Sequence, residues 1–139
     1  MPTYAEVEVG TELPARTFPI QRVDLVRYCG ASGDHNVIHW NERVAKAVGL
    51  PDVIAHGMLT MAEAGRVVTD WAGDPGAVES LTVRFSRPVV VPDDDTGASL
   101  LVSGVVEEKR PDGRVLVVLT ATVDGSKVLM GAKAVVRLA

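Results

Sequence analysis

What most limits how this chain can fold is a change of hydrophobic period near residue 75. Before it, HGMLTMAEAGRVVTDWAG (56–73) spreads Met58, Met61, Ala62, Ala64, Gly65, Val68 and Trp71 around most of a helical wheel. Glu63, Arg66 and Asp70 are left as a single polar stripe. A helix so apolar and so rich in small residues is expected to be largely enclosed. Gly73-Asp74-Pro75-Gly76 then stops it. Beyond that point the side chains alternate: in LTVRFSR (81–87), Leu81, Val83 and Phe85 face one way and Thr82, Arg84 and Ser86 the other. SLLVSGVVEE (99–108), VLVVLTATV (115–123) and KVLMGAKAVVRL (127–138) read as three further strands. The separators are PDDDTG (92–97), RPDGR (110–114) and DGS (124–126), and the Asp-Gly pairs at 112–113 and 124–125 are strong hairpin signals. The second half is therefore expected to be an antiparallel meander. Its apolar face needs a cover, and the helix is the only element large enough to supply one.

The first half is mixed. RTFPIQ (16–21) is expected to form an opening strand, Val23–Ala31 a helix, and Asn41 to cap a short second helix running through Val48. No repeat, low-complexity tract or linker divides the chain, so residues 1–139 are read as one domain. One long helix wrapped by a curved antiparallel sheet is an α+β architecture, the hot-dog arrangement. Aromatic residues are only 4% of the chain, so Val, Ala and Leu must fill its core.

Charge and cysteine usage narrow the surroundings. The net charge is −4, with Lys and Arg scattered, which argues against nucleic acid as a partner because neutralising phosphates takes clustered cations. The single cysteine, Cys29, cannot form an internal disulfide and reads as a small buried hydrophobe in a reducing compartment. MPTYAEVEVGTELP lacks the basic start and apolar run of a secretory signal, and no stretch approaches the roughly 20 apolar residues that span a bilayer. The expectation is a cytoplasmic protein with no membrane partner.

The polar chemistry is concentrated in GASGDHNVIHWN (30–41). GASG falls one residue short of the G-x-S-x-G nucleophile elbow. Asp34-His35-Asn36 begins like a calcium loop, but Ile38 replaces an oxygen ligand and the loop glycine is missing. His35 and His39 have the i, i+4 spacing of a zinc helix, yet Asn36 stands where a metalloprotease needs its glutamate, and Gly33, Val37 and Ile38 make a helix poor. No metal and no cofactor is expected. An acid and a neutral base remain, Asp34 and His39, with Asn36 between them. Histidine exchanges protons near neutral pH, a nearby carboxyl can pass a proton through water or hydroxyl, and an amide orients either without adding charge. That set suits adding or removing water. His35 reads as a solvated loop residue, His56 as a packing or capping residue, and Asp93, Asp94 and Asp95 as a solvated turn. Met58 and Met61 are core residues or line an acyl tunnel; spacing does not separate the two.

YCGASGDHNVIHWN (28–41) resembles the signature of the MaoC-like dehydratases and (R)-specific enoyl hydratases: an aromatic, a run of small residues, then G-D-x-N-P-[apolar]-H and a small polar residue. AHGML (55–59) resembles the start of that family's central helix, and VRFSRPVVVPDD (83–94) its following strand and proline-rich bend. The resemblance covers nearly the whole chain. It implies that Asp34 and His39 are the catalytic pair, that Asn36 holds their geometry, and that Gly57 presents its N–H to the oxygen of an acyl thioester. The substrate would be a (3R)-3-hydroxyacyl or trans-2-enoyl thioester on acyl carrier protein or, second, on coenzyme A. A dimer is implied as well, either of identical chains or with a sister hot-dog subunit. Two positions depart from the pattern. Val37 stands where proline is usual, which leaves one φ angle unfixed. Gly65 stands where some members carry serine. Hot-dog domains also include thioesterases and non-catalytic subunits; the former usually lack the G-D-x-N…H grouping, and the latter usually lose the Asp or the His.

Overall fold

In the computed structural model, which describes Met1–Ala139, the period change falls where expected. Helix α3 (Gly57–Ala72) ends at Gly73, which takes φ 74°, and strand β2 (Val78–Phe85) begins shortly after. The opening strand β1 is longer than expected, Glu12–Ile20, with a register break between Leu13 and Arg16. Helix α1 (Arg22–Ser32) starts where the Asp24 carboxylate accepts the Gln21 N–H at 2.8 Å. Short α2 (Glu42–Ala47) is capped by Asn41, whose Oδ1 accepts the Val44 N–H at 3.1 Å.

The remaining strands are β3 (Ala98–Arg110), β4 (Arg114–Val123), a two-residue β5 (Ser126–Lys127) and β6 (Leu129–Arg137). Both Asp-Gly pairs form the expected turns: Asp112 and Gly113 have φ 64° and 74°, and Asp124 and Gly125 have φ 48° and 75°. Positive φ at both central positions matches the right-handed twist of the flanking strands.

The sheet order β1-β3-β4-β6-β2 corrects the meander at one strand. β2 does not pair with β3, which follows it in sequence; it pairs with β6 at the far edge. The reason lies in the segment between Pro88 and Pro92. Its backbone bonds run to the stretch before α3, with the Ala55 N–H donating to the Val89 carbonyl at 2.8 Å and the Val91 N–H to the Val53 carbonyl at 3.0 Å. Arg22 adds to the same clamp, bonding the Val91 carbonyl at 2.6 Å and Asp52 at 2.7 Å. Those residues are therefore spent on holding the start of α3 and are not free to close a β2–β3 hairpin.

The sheet wraps α3, which touches β1, β2, β3, β4 and β6. Thr60, Ala64, Val67, Val68 and Ala72 are buried on the inner helix face. They meet the inward rows Leu100, Val102 and Val106 of β3, Val115 and Val117 of β4, and Ala134 and Val136 of β6. At about 25 cal/mol per Å² of apolar surface removed from water, this layer is the main stabilising term. The outer helix face is less polar than its charges suggest: Met58 and Ala62 are exposed beside Arg66 and Asp70. Gly65 has a packing reason, because a Cβ there would sit 3.1 Å from the Leu81 side chain. No helix is long and apolar enough to cross a membrane.

Candidate active site

Helix α1 ends at Gly33, which adopts φ 75° and turns the chain into the polar segment. Left-handed backbone of this kind comes at least cost to glycine. From there the loop is held by its own side chains. The Asp34 N–H donates to Ser32 Oγ at 3.1 Å, the Asn36 N–H to Asp34 Oδ1 at 3.1 Å, and the Ile38 N–H to Asn36 Oδ1 at 3.3 Å. Asn36 thereby caps a single 3-10 turn, Val37–His39, that delivers His39 inward. These bonds supply the order that a proline at position 37 would have given. Trp40 closes the loop by donating its Nε1–H to the His35 carbonyl at 3.0 Å.

His39 is buried, and its Nδ1 lies 2.7 Å from the Ile54 carbonyl. A carbonyl only accepts, so Nδ1 carries the proton and Nε2 keeps a lone pair. Asp34 is exposed, yet one of its carboxylate oxygens comes together with a ring nitrogen of His39 and one of His56, all within 4.8 Å of one another. The acid and the base are thus adjacent while facing different surroundings. This trio is also the one grouping whose donor types suit a metal ion. Each imidazole already has one nitrogen against a main-chain carbonyl, at 2.7 Å for His39 and 3.1 Å for His56, which leaves at most one nitrogen apiece.

His39 and Gly57 share a cavity of about 310 Å³, lined as well by Thr60, Phe85, Arg87 and Leu129. Asp34 and Asn36 are outside its lining, as are Met58 and Met61. Gly57 is the first residue of α3, and no side chain caps that end. Its N–H therefore belongs to the unpaired, partly positive first turn of a helix. A Cβ at this position would lie 3.2 Å from the Phe85 ring, so the glycine lets the ring and the backbone close around the cavity.

His56 was expected only to pack or cap, and it does more. It is buried, stacks on His39 with ring centroids 3.8 Å apart, and sits 4.6 Å from the Tyr28 ring. Burial, with a smaller contribution from neighbouring His39, pushes its pKa below the usual histidine value; the Asp34 carbonyl and carboxylate only partly oppose this. The sequence holds a weak signal for it, a histidine directly before the first residue of the apolar helix, but nothing local says which rings it meets.

An enclosed helix and a wrapping antiparallel sheet put this chain among the hot-dog domains. Within them it belongs to the MaoC-like domain family, whose model matches residues 5–124. It is 43% identical over 79 residues to a 3-hydroxyacyl-thioester dehydratase X from Mycobacterium tuberculosis, a match covering 57% of this chain and 27% of that protein. It is 34% identical over 113 residues to an (R)-specific enoyl-CoA hydratase from Rhodospirillum rubrum, covering 81% of this chain and 76% of the other. A solved MaoC-like dehydratase superposes with a TM-score of 0.95 at 43% identity, over 99% of this chain and 42% of that one. The chain thus spans well under half the length of two of these relatives and about three quarters of the third.

Proposed function

We propose that this protein interconverts a (3R)-3-hydroxyacyl thioester and a trans-2-enoyl thioester plus water. The observation that carries the reading is the His39 ring at the cavity, its Nδ1–H held by the Ile54 carbonyl and its Nε2 lone pair left as a base, with Asp34 alongside. In dehydration His39 Nε2 takes the C2 proton, and the C2–H electrons form the C2=C3 bond. The C3–O bond breaks and Asp34 gives its proton to the departing hydroxyl, which leaves as water. The negative charge that develops on the thioester oxygen falls to the Gly57 N–H. Removing a donor of this type commonly costs about 3–4 kcal/mol of transition-state stabilisation. In hydration the steps reverse: the Asp34 carboxylate takes a proton from the water that adds to C3, and His39 Nε2–H gives its proton to C2. The thioester itself acidifies C2, so this scheme uses no cofactor.

Acyl carrier protein is the first choice of carrier, in keeping with a dehydratase of fatty-acid elongation; coenzyme A, as in β-oxidation or polyhydroxyalkanoate supply, is the second. Arg87 lines the cavity, which supports a contact with a carrier phosphate. We assign the working unit as a dimer, with an identical chain or a sister hot-dog subunit. Exposed Val26 and Trp40, which line one shallow pocket with Cys29 and His35, support a covered face near the Asp34 loop, and we place the protein in the cytoplasm.

The test is direct. Crotonyl-coenzyme A and a crotonyl carrier protein should lose ultraviolet enoyl absorbance on addition of the purified protein. Thiol release instead would make it a thioesterase, and no change with either carrier, alone or with a candidate sister chain, would make it non-catalytic. Light scattering after size exclusion checks the dimer.

A further inference from the structure

The reaction scheme above makes no use of His56, although its contacts reach every part of that scheme. Its Nε2 is 3.1 Å from the Asp34 main-chain carbonyl, and its ring lies 3.8 Å from that of His39, inclined by 23°. Its own carbonyl accepts the Thr60 N–H at 3.2 Å and so opens α3, one residue before Gly57. We propose that His56 is a positioning residue: a neutral imidazole in the tautomer opposite to that of His39, fixing the His39 ring plane and the Asp34 main chain against the first turn of the helix.

The tautomers follow from the partners. The Asp34 carbonyl cannot donate, so His56 Nε2 carries the hydrogen. His56 Nδ1 is buried with no partner and so keeps its lone pair. His39 is the reverse, protonated at Nδ1 and open at Nε2. A second proton on His56 would have to sit on Nδ1, where a buried N–H would have no acceptor, and the charged ring would lie stacked on another imidazole. The groups around the ring do little to favour that proton. Helix α1 offers the Tyr28 ring at 4.6 Å and Cys29 Sγ at 3.6 Å, and the loop offers His39 and the single acid Asp34. The outcome is one ring that stays neutral while its stacked neighbour exchanges protons. An imidazole that charged in step with His39 would oppose it through like-charge repulsion.

What is positioned rests on the hydratase reading; the tautomer pair rests on geometry alone, and the experiment separates them. Long-range proton–nitrogen spectra of the uniformly ¹⁵N-labelled protein, taken from about pH 8 to about pH 6, should show His56 as the neutral Nε2–H form throughout and His39 as Nδ1–H at the upper end. A His56 imidazolium at neutral pH, or an Nδ1–H tautomer, overturns the proposal whether or not the protein acts on thioesters. In His56→Ala, kcat for crotonyl thioester hydration should fall by about 100-fold, the scale expected for a misplaced catalytic group, with KM changing far less. His39 should lose its single tautomer in the same variant. His56→Phe keeps the stacking face and His56→Gln keeps a donor toward the Asp34 carbonyl, so each should recover roughly tenfold of the loss, and only Phe should restore the His39 tautomer. Unchanged kcat and an unchanged His39 spectrum in all three variants overturn the proposal; should Ala fail to fold, the Phe and Gln pair still decides it. An inactive wild type refutes the hydratase reading, and the spectra then decide this one.

Discussion

Two short segments build the site by opposite means. The loop from Gly33 to Trp40 is mostly exposed and owes its shape to hydrogen bonds among its own atoms, from Ser32, Asp34 and Asn36 side chains to nearby N–H groups. The stretch from Val53 to His56 is largely buried, with Val53 at 0% and His56 at 1% exposure, and owes its shape to long-range bonds with Val89 and Val91. The loop carries Asp34 and His39; the helix start contributes a largely dry wall and the uncapped first turn of α3. Polar chemistry near water is cheap to assemble locally, whereas a buried donor and a buried imidazole need a finished core around them.

Removing the reactive groups should have the largest effect and leave the core intact. Asp34→Asn and His39→Ala are each expected to lower kcat/KM for the enoyl thioester by about 10³-fold or more, near the upper range for general acid–base groups. Asn retains an oxygen for the Asn36 N–H, so the Asp34→Asn protein should melt within a few degrees of wild type; a loss of activity explained by unfolding would break the division between the two segments. Next comes the helix start. Gly57→Ala puts a methyl group at 3.2 Å from the Phe85 ring, and a shift of the helix start that relieves this contact displaces the N–H from the cavity. The expected loss is roughly 10–100-fold in kcat, below that for deleting a donor outright, measured by steady-state hydration.

A smaller effect is expected at Asn36, whose side chain caps the turn without lining the cavity. Asn36→Ala should cost about 1 kcal/mol, as for other lost caps, and roughly tenfold in kcat through a looser His39; thermal melts and kinetics together check it. The smallest effect is a pH dependence of stability. Unfolded, His56 titrates near about 6.5. In the fold its value is lower because of burial and His39, so the unfolded chain binds protons first. Its contribution is complete above that unfolded value and is lost as pH falls through the folded one. Melting temperature should therefore drop on acidification from about pH 7 to about pH 5, and His56→Gln should flatten the drop. An equal slope in both proteins would mean that His56 is not the group responsible.

How legible each part was follows the same division. Asp34, Asn36 and His39 stand within one short run, so residue types and spacing alone suggested water chemistry, and the resemblance to a known signature made the suggestion specific. The hairpins at 112–113 and 124–125 were equally plain, because Asp-Gly at positive φ is a local matter. The place of β2 was not. Alternation of Leu81 and Val83 marks a strand but carries no information about its partner, and the pairing with β6 arose because residues 89–91 were taken by the start of α3. His56 was missed for a related reason: its contacts are with Tyr28, Cys29, Asp34 and His39, none of them adjacent to it in sequence.

By itself, then, the sequence determined the helical and alternating periods and the turns, and set Asp34, His39 and Gly57 apart as candidates for acid, base and N–H donor. Those are properties of neighbours along the chain, set by side-chain type and backbone preference. Only the tertiary structure decided the strand order, the tautomer of His39 through the Ile54 carbonyl, and the burial that holds His56 below its ordinary pKa. Each of these depends on which distant atoms exclude water or accept a proton, and that is settled when the sheet closes around the helix.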